Sequence, residues 1–495
     1  MSEQDMMTVI RILLYMLLQM HKLECAKLPE RQHVVFPELL ESRGVNGGKI
    51  LRITEELTLN LEKSAILSKN FLLRTYEDGI MKHTYHDGEI LEEELYHDPK
   101  HLASVMVSED DGLQVEGVLG PKLRIKPLVQ DRKAEGRTAH VLYEIDDDTN
   151  HDNAHVGVEW RGQLNISGRD DVSGDVPVEA RPELLVAVDS TFGSKFDTLI
   201  KLIKYIIVLI NSVNVRYMNL RNPSVRLRLQ ALEVLDDNVE HFLYRVENVI
   251  AAYRSLQSFK LYVEDNPDKY GPYDAVFLVT GLDMAQYTGY YWDVELQGIA
   301  YVAGACTSRK VSIGEDRPNT YFGVRIFAHE FAHLLGCPHD GQQFGSYSSL
   351  HCSWYEGYLM SYRVEDSRSM KFSSCCQDNI RRFIGSAAGS CLLQQGSKRK
   401  IKKGNFTTDL PGEFVTEDNV CKCAFPEVAD TYLIDDGRGP CQGRCYMPSY
   451  VRGVGFKTTV FPDNFKCKKD EKNGVCINGD CTEQKLKYAV YKPSK

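Results

Sequence analysis

The stretch from Ala328 to Gly341 reads AHEFAHLLGCPHDG and sets three histidines, a glutamate and a glycine at spacings suited to metal-assisted hydrolysis. His329 and His333 are four positions apart, so on a helix their imidazoles lie about 40° apart on one face and can share an ion. Gly336, three positions further on, is the residue type that tolerates φ > 0 and lets the chain leave the helix and turn back. That turn brings His339 to the same point. Three nitrogen ligands leave the fourth tetrahedral position to water, the arrangement that separates a catalytic zinc site from a structural one. Glu330, beside the first ligand, is placed to reach that water. Zinc lowers the pKa of bound water to about 7, and the carboxylate can take its proton and deliver one to a leaving amine. Chance assembly of these residue types at these places is on the order of one in a million at ordinary usage. A merely histidine-rich helix end does not account for the pattern.

The elements that must hold this cluster begin near Arg181. The run ELLVAVD reads as a buried strand, Lys195 to Met218 as an amphipathic helix, VRLRLQALEVL as a strand and residues 238–257 as a helix. DAVFLVTG and GIAYVAGAC follow as strands, and strands alternating with helices indicate an α/β domain. Within LIKLIKYIIVLI, Lys201 and Lys204 interrupt the apolar run, so it is a core helix and not a membrane span. Upstream, residues 27 to about 180 alternate strand-like runs with polar turns, then become acidic and loop-like at IDDDTNHDNAH, and read as a β-rich module followed by a linker.

The wider chain fits an exported protein. Behind Arg11 a short apolar run, Ile12 to Met20, with Ala26 soon after, reads as a secretory signal peptide over residues 1–26. Between Cys25 and Cys306 there is no cysteine, and then thirteen follow, which points to disulfides and an oxidising compartment. Six of them, Cys306, Cys337, Cys352, Cys375, Cys376 and Cys391, suit three bridges; Cys337 lies between two histidines, but a disulfide is favoured over metal ligation. Residues 397–420 are a basic linker, and the seven cysteines of 421–495 staple a small domain, leaving an odd one unpaired or bonded to another chain. In 495 residues the net charge is −10, without the basic face a nucleic-acid partner would need. Asn165 and Asn405 stand in glycosylation sequons.

HExxHxxGxxHD resembles the metzincin zinc-binding signature, and Asp340 after the last histidine is similar to the reprolysin branch, the ADAM and ADAMTS proteases. Glutamate at that place would instead match astacins. The resemblance extends over most of residues 50 to 395, through PELLVAVD, DAVFLVTG, GIAYVAGAC, GYLMSY and FSSCCQDNIRRFI. The overall layout is most similar to secreted metalloproteases from tick saliva. It implies an α/β metzincin-type catalytic domain over 181–396, a mixed twisted sheet with long helices and zinc in the cleft. A β-rich propeptide over 27–180 would precede it and a small disulfide-rich, disintegrin-like domain would follow. It implies a Met-turn at Met360, a Cys306–Cys391 bridge, and a peptide substrate laid along the edge strand at 298–304 by β-augmentation. A calcium ion would sit near Glu183 and Asp274, with Gln394 where the family has Asn. Tyr362 stands where astacins carry a tyrosine able to stabilise an oxyanion.

Two departures from the family pattern concern latency and maturation. No propeptide cysteine is available to silence the zinc, leaving Asp146 to Asp148 or steric cover as candidates, and no convertase site lies near 160–185, leaving Arg169, Arg181 or self-processing. The implied function is a secreted zinc endopeptidase acting on extracellular proteins such as fibrinogen or fibronectin. The competing reading is an idle adhesion or anti-haemostatic protein working through its tail, and the intact Glu330 speaks against it.

Overall fold

Seven strands make the central sheet, and two of them come from the amino-terminal third of the chain. In chain order these are β1 (Leu67–Glu77), β2 (Ile80–Asp87), β3 (Glu183–Val188), β4 (Arg228–Val234), β5 (Ala275–Thr280), β6 (Gly298–Ala300) and β7 (Val311–Glu315). Across the sheet they run β6-β7-β5-β3-β4-β1-β2. β7, β5, β3, β4 and β1 are mutually parallel, and the two outer strands are antiparallel to their neighbours. The computed structural model describes residues 32–145, 179–393 and 415–482, apart from short stretches within them. The signal peptide, Asp146 to Asp148, Asn165, Arg169, Tyr362, Gln394 and Asn405 lie outside the described residues.

The sheet is covered on both faces, which is why its central strands are apolar without alternation. In β3, Leu184, Val186 and Val188 face one core, while Leu185 and Ala187 face another. The first core is shared with helices α1 (Leu199–Tyr217), α3 (Val324–Leu334) and α4 (Ser374–Ile384), the second with α2 (Ala252–Asp265). α1 starts four residues later than its apolar pattern suggests, because the Thr198 hydroxyl accepts from the Lys201 N–H and caps it there. Its two interrupting lysines pair with Asp197 and Glu94. No helix among the described residues is long and apolar enough to cross a membrane.

Two expectations change. The helix expected over 238–257 begins only at Ala252, and ahead of it Arg245–Val246 and Val249–Ala251 form a hairpin that pairs onward with Asp283–Tyr287. The β-branched Val249 and Ile250 favour the strand, while the 3.6-residue period of buried positions starts at Ala252. In the 298–306 run only Gly298–Ala300 is strand. Beyond it Ala303 and Cys306 take positive φ, and the N–H groups of Ala303 and Ala305 donate to the His333 and Leu334 carbonyls, closing the end of α3.

A second, nine-stranded antiparallel sheet spans residues 32–144 and lies against α1. Gly117 permits the approach: a Cβ there would stand 2.4 Å from the Ser104 carbonyl oxygen and 3.2 Å from Val208 Cγ1 on α1. The tail is held by Cys421–Cys445, Cys441–Cys476 and Cys467–Cys481, with Cys423 exposed and unbridged.

Candidate metal centre

α3 carries His329 and His333 one turn apart, and Gly336 ends it with φ 91°. A Cβ at Gly336 would lie 3.0 Å from Phe383 Cβ and 3.1 Å from the Tyr347 ring, so both the backbone angle and the space require glycine. The chain then returns His339 to the helix. His339 Nε2 stands 3.1 Å from His329 Nε2 and 3.2 Å from His333 Nε2.

Each ring is oriented from behind. The Nδ1 atoms sit 2.8 Å from the Leu359 carbonyl (His329), 2.7 Å from the Cys337 carbonyl (His333) and 3.1 Å from Gln342 Oε1 (His339). Facing acceptors, all three Nδ1 atoms carry the proton, and the three Nε2 lone pairs point at one another. Burial keeps the rings neutral: it holds His329 well below the usual range, a shift its histidine neighbours deepen. It also lowers His333 to about 3 and His339 to about 4. Zinc bonds of about 2.0–2.1 Å in a tetrahedron separate nitrogen ligands by roughly 3.3 Å, so the donor set fits that ion.

Glu330 is buried beside the cluster, and burial alone pushes its carboxyl up to about 8. Gly298, the first residue of edge strand β6, lies directly over it: a Cβ there would be 2.6 Å from Glu330 Cγ. The edge strand therefore lies against the carboxylate that adjoins the histidines.

Longer-range contacts fix α3 and the returning loop. Tyr217 of α1 donates to the Ala328 carbonyl at 2.9 Å. The Asp340 N–H donates to the Met360 carbonyl at 3.1 Å, and its carboxylate accepts from Ser373 Oγ, the cap of α4, at 2.6 Å. Met360 is fully buried, and its neighbour Leu359 is the residue that orients His329. Disulfides Cys337–Cys376 and Cys352–Cys375 tie this region to α4, and Cys306–Cys391 ties the loop after β6 to the chain beyond α4. Glu183 and Asp274 lie together elsewhere, where Asp274 accepts from the Glu183 N–H at 2.9 Å next to the Cys306–Cys391 bridge.

Sequence reasoning missed Gly298, Gln342, and a buried pair at the entry to α3. Asp316, just after β7, accepts from the Gly323 N–H at 2.8 Å and from Tyr205 Oη at 2.7 Å. No spacing motif announces either contact. Burial raises Asp316 to about 7, against the lowering effect of those bonds. In the unfolded chain it returns to about 3.9, so between about pH 4 and 7 the folded state holds a proton the unfolded state has lost. Its contribution to stability therefore falls as pH rises through that window. Asp316→Asn, which does not titrate, is expected to cost less stability at pH 8 than at pH 5 by urea midpoints. Equal costs at the two pH values would contradict this account.

Residues 179–373 match the model of the reprolysin-type metallo-peptidase family M12. The chain is 30% identical over 391 residues to the venom metalloproteinase antarease TserMP_A of Tityus serrulatus, covering 74% of this chain and 94% of that one. It is 27% identical to the antarease-like TtrivMP_A of Tityus trivittatus, with 74% and 94% covered. It is 26% identical to an ADAMTS-like protein of Bombyx mori, with 79% and 57% covered. These names carry the family resemblance and not the narrower likeness to tick saliva.

Proposed function

Because the chain belongs to metallo-peptidase family M12, in its reprolysin branch, we propose that it hydrolyses extracellular proteins with a catalytic centre built from His329, His333, His339 and Glu330. It is a zinc metalloendopeptidase. The observation that carries the residue assignment is the convergence of three Nε2 atoms whose Nδ1 atoms all face acceptors. Bound there, zinc supplies a Lewis acid that makes water a nucleophile near neutral pH. A dication held by the histidines would favour the ionised form of the Glu330 carboxyl, against the effect of burial, so that Glu330 takes the proton of the attacking water and returns it to the leaving amine. Edge strand β6 aligns the substrate backbone by adding it as a strand. Secretion is supported by the six disulfides among the described residues, and the tail directs the protease to its targets. Matrix or clotting proteins such as fibrinogen and fibronectin are the substrates we propose.

The test is to express the chain through a secretory pathway, measure its metal and assay casein and fibrinogen. About one zinc per chain is expected. A chelator should abolish hydrolysis of both substrates, and added zinc should restore it. Hydrolysis that ignores the chelator would sink the mechanism, and cleavage of casein but not fibrinogen would remove only the substrate.

A further inference from the structure

The amino-terminal module is joined to the protease as a core and not as a cover. β1 pairs in parallel with β4 through Leu67↔Leu229, Leu72↔Ala231, Leu73↔Leu232 and Arg74↔Glu233. Without β1, the N–H and C=O groups of β4 would lose their partners along that edge. Phe71, Leu73, Leu95, Met106 and Val118 of the module belong to the same apolar core as Leu184, Ile206 and Phe327 of the protease.

The polar contacts across the boundary are equally buried. Glu233, wholly buried on β4, is held at 3.1 Å by Arg74 and at 2.6 Å by Lys269, and accepts from Tyr76. Arg74 and Tyr76 come from the module, Glu233 and Lys269 from the protease. Arg124, 1% exposed, donates to the Thr320 and Tyr321 carbonyls at 2.9 and 3.2 Å, in the segment that leads into α3. On α1, Asn211 donates to Ser104 Oγ at 2.9 Å, and Ser104 donates to the Val208 carbonyl at 3.2 Å. These contacts fix how the two parts fit, and separation would expose their shared apolar core and the β4 edge to water, a cost that loosely packed domain contacts do not carry.

We propose that when the chain is cut between Glu144 and Glu179, residues 32–145 stay bound as a non-covalent subunit of the protease. The proposal rests on the reading in which maturation severs the module from the protease. It changes the outcome of that cut: the product is a two-fragment molecule whose partner is its own amino-terminal module.

The experiment inserts a site-specific protease sequence between Asn153 and Ala154, cuts the purified full chain to completion and passes it over gel filtration at low micromolar concentration. Both fragments are expected in one peak at the mass of the uncut chain, which requires a Kd well below about 1 μM. Elution of the amino-terminal fragment on its own would overturn the proposal. Arg74→Met, which takes one cation from buried Glu233, is expected to weaken retention in the cut protein about tenfold or more. The uncut variant stays assembled, because its covalent link maintains a high local concentration of the module. A Kd unchanged by Arg74→Met, read as the dilution at which the cut fragments separate, would overturn the interface assigned to it. Casein hydrolysis, measured on cut and uncut samples, reports separately on the protease reading, since co-elution does not depend on it.

Discussion

Replacing Glu330 with glutamine is expected to lower kcat/KM on a peptide substrate by about 10²-fold or more while zinc content holds. Glutamine keeps the shape and the burial of the side chain but cannot accept a proton from water or pass one to an amine. Metal content should hold because the converging nitrogens belong to His329, His333 and His339, with Glu330 contributing none of them. His333→Ala is the control with the opposite signature, since it removes a converging nitrogen and should lose metal and activity together. Metal analysis beside steady-state kinetics separates the two. Activity surviving Glu330→Gln at full zinc occupancy would remove Glu330 from the proposed mechanism.

The sequence showed most clearly what is local along the chain. His329, Glu330, His333, Gly336 and His339 fall within one helix and its exit turn, where spacing alone fixes relative direction. The β3, β4 and β5 strands were equally visible, since strands buried on both faces are continuously apolar. The contacts that hold the cluster were hidden because they join distant residues. Asp316 meets Tyr205 across 111 positions, and Gly298 meets Glu330 from a different strand. The pairing of Leu67–Glu77 with β4 was hidden for the same reason: the apolar run predicts a strand but not its neighbour, so the module read as a separate unit. The 301–306 run misled because its small apolar residues look like strand, whereas their N–H groups are used to close α3.

Gly298→Val is expected to cost turnover about as much as Glu330→Gln, about 10²-fold, with zinc content close to that of the parent and stability lower by about 1–3 kcal/mol. A Cβ at this position would lie 2.6 Å from Glu330 Cγ, 2.8 Å from Cδ and 2.7 Å from Oε1, so one side must move. The strand cannot give easily: Gly298 pairs with Gly314 and Ile299 with Ile313, and the Gln297 carbonyl accepts from the Glu315 N–H. The side that moves is the whole Glu330 side chain, which must turn about its Cα–Cβ bond to carry Cγ clear, and valine's two methyl groups push it further than a single Cβ would. Valine suits an extended edge strand, so the chain should still fold despite the overpacking. The alternative is that the new side chain blocks the substrate lying along β6, and a double-mutant cycle separates the two. If Gly298→Val acts by displacing the carboxylate, it adds little once Glu330 is already glutamine. If it acts on the substrate, the two losses multiply and KM rises in both backgrounds. Multiplying losses would leave Gly298 a role in substrate binding and remove the one given to it here, keeping Glu330 in place.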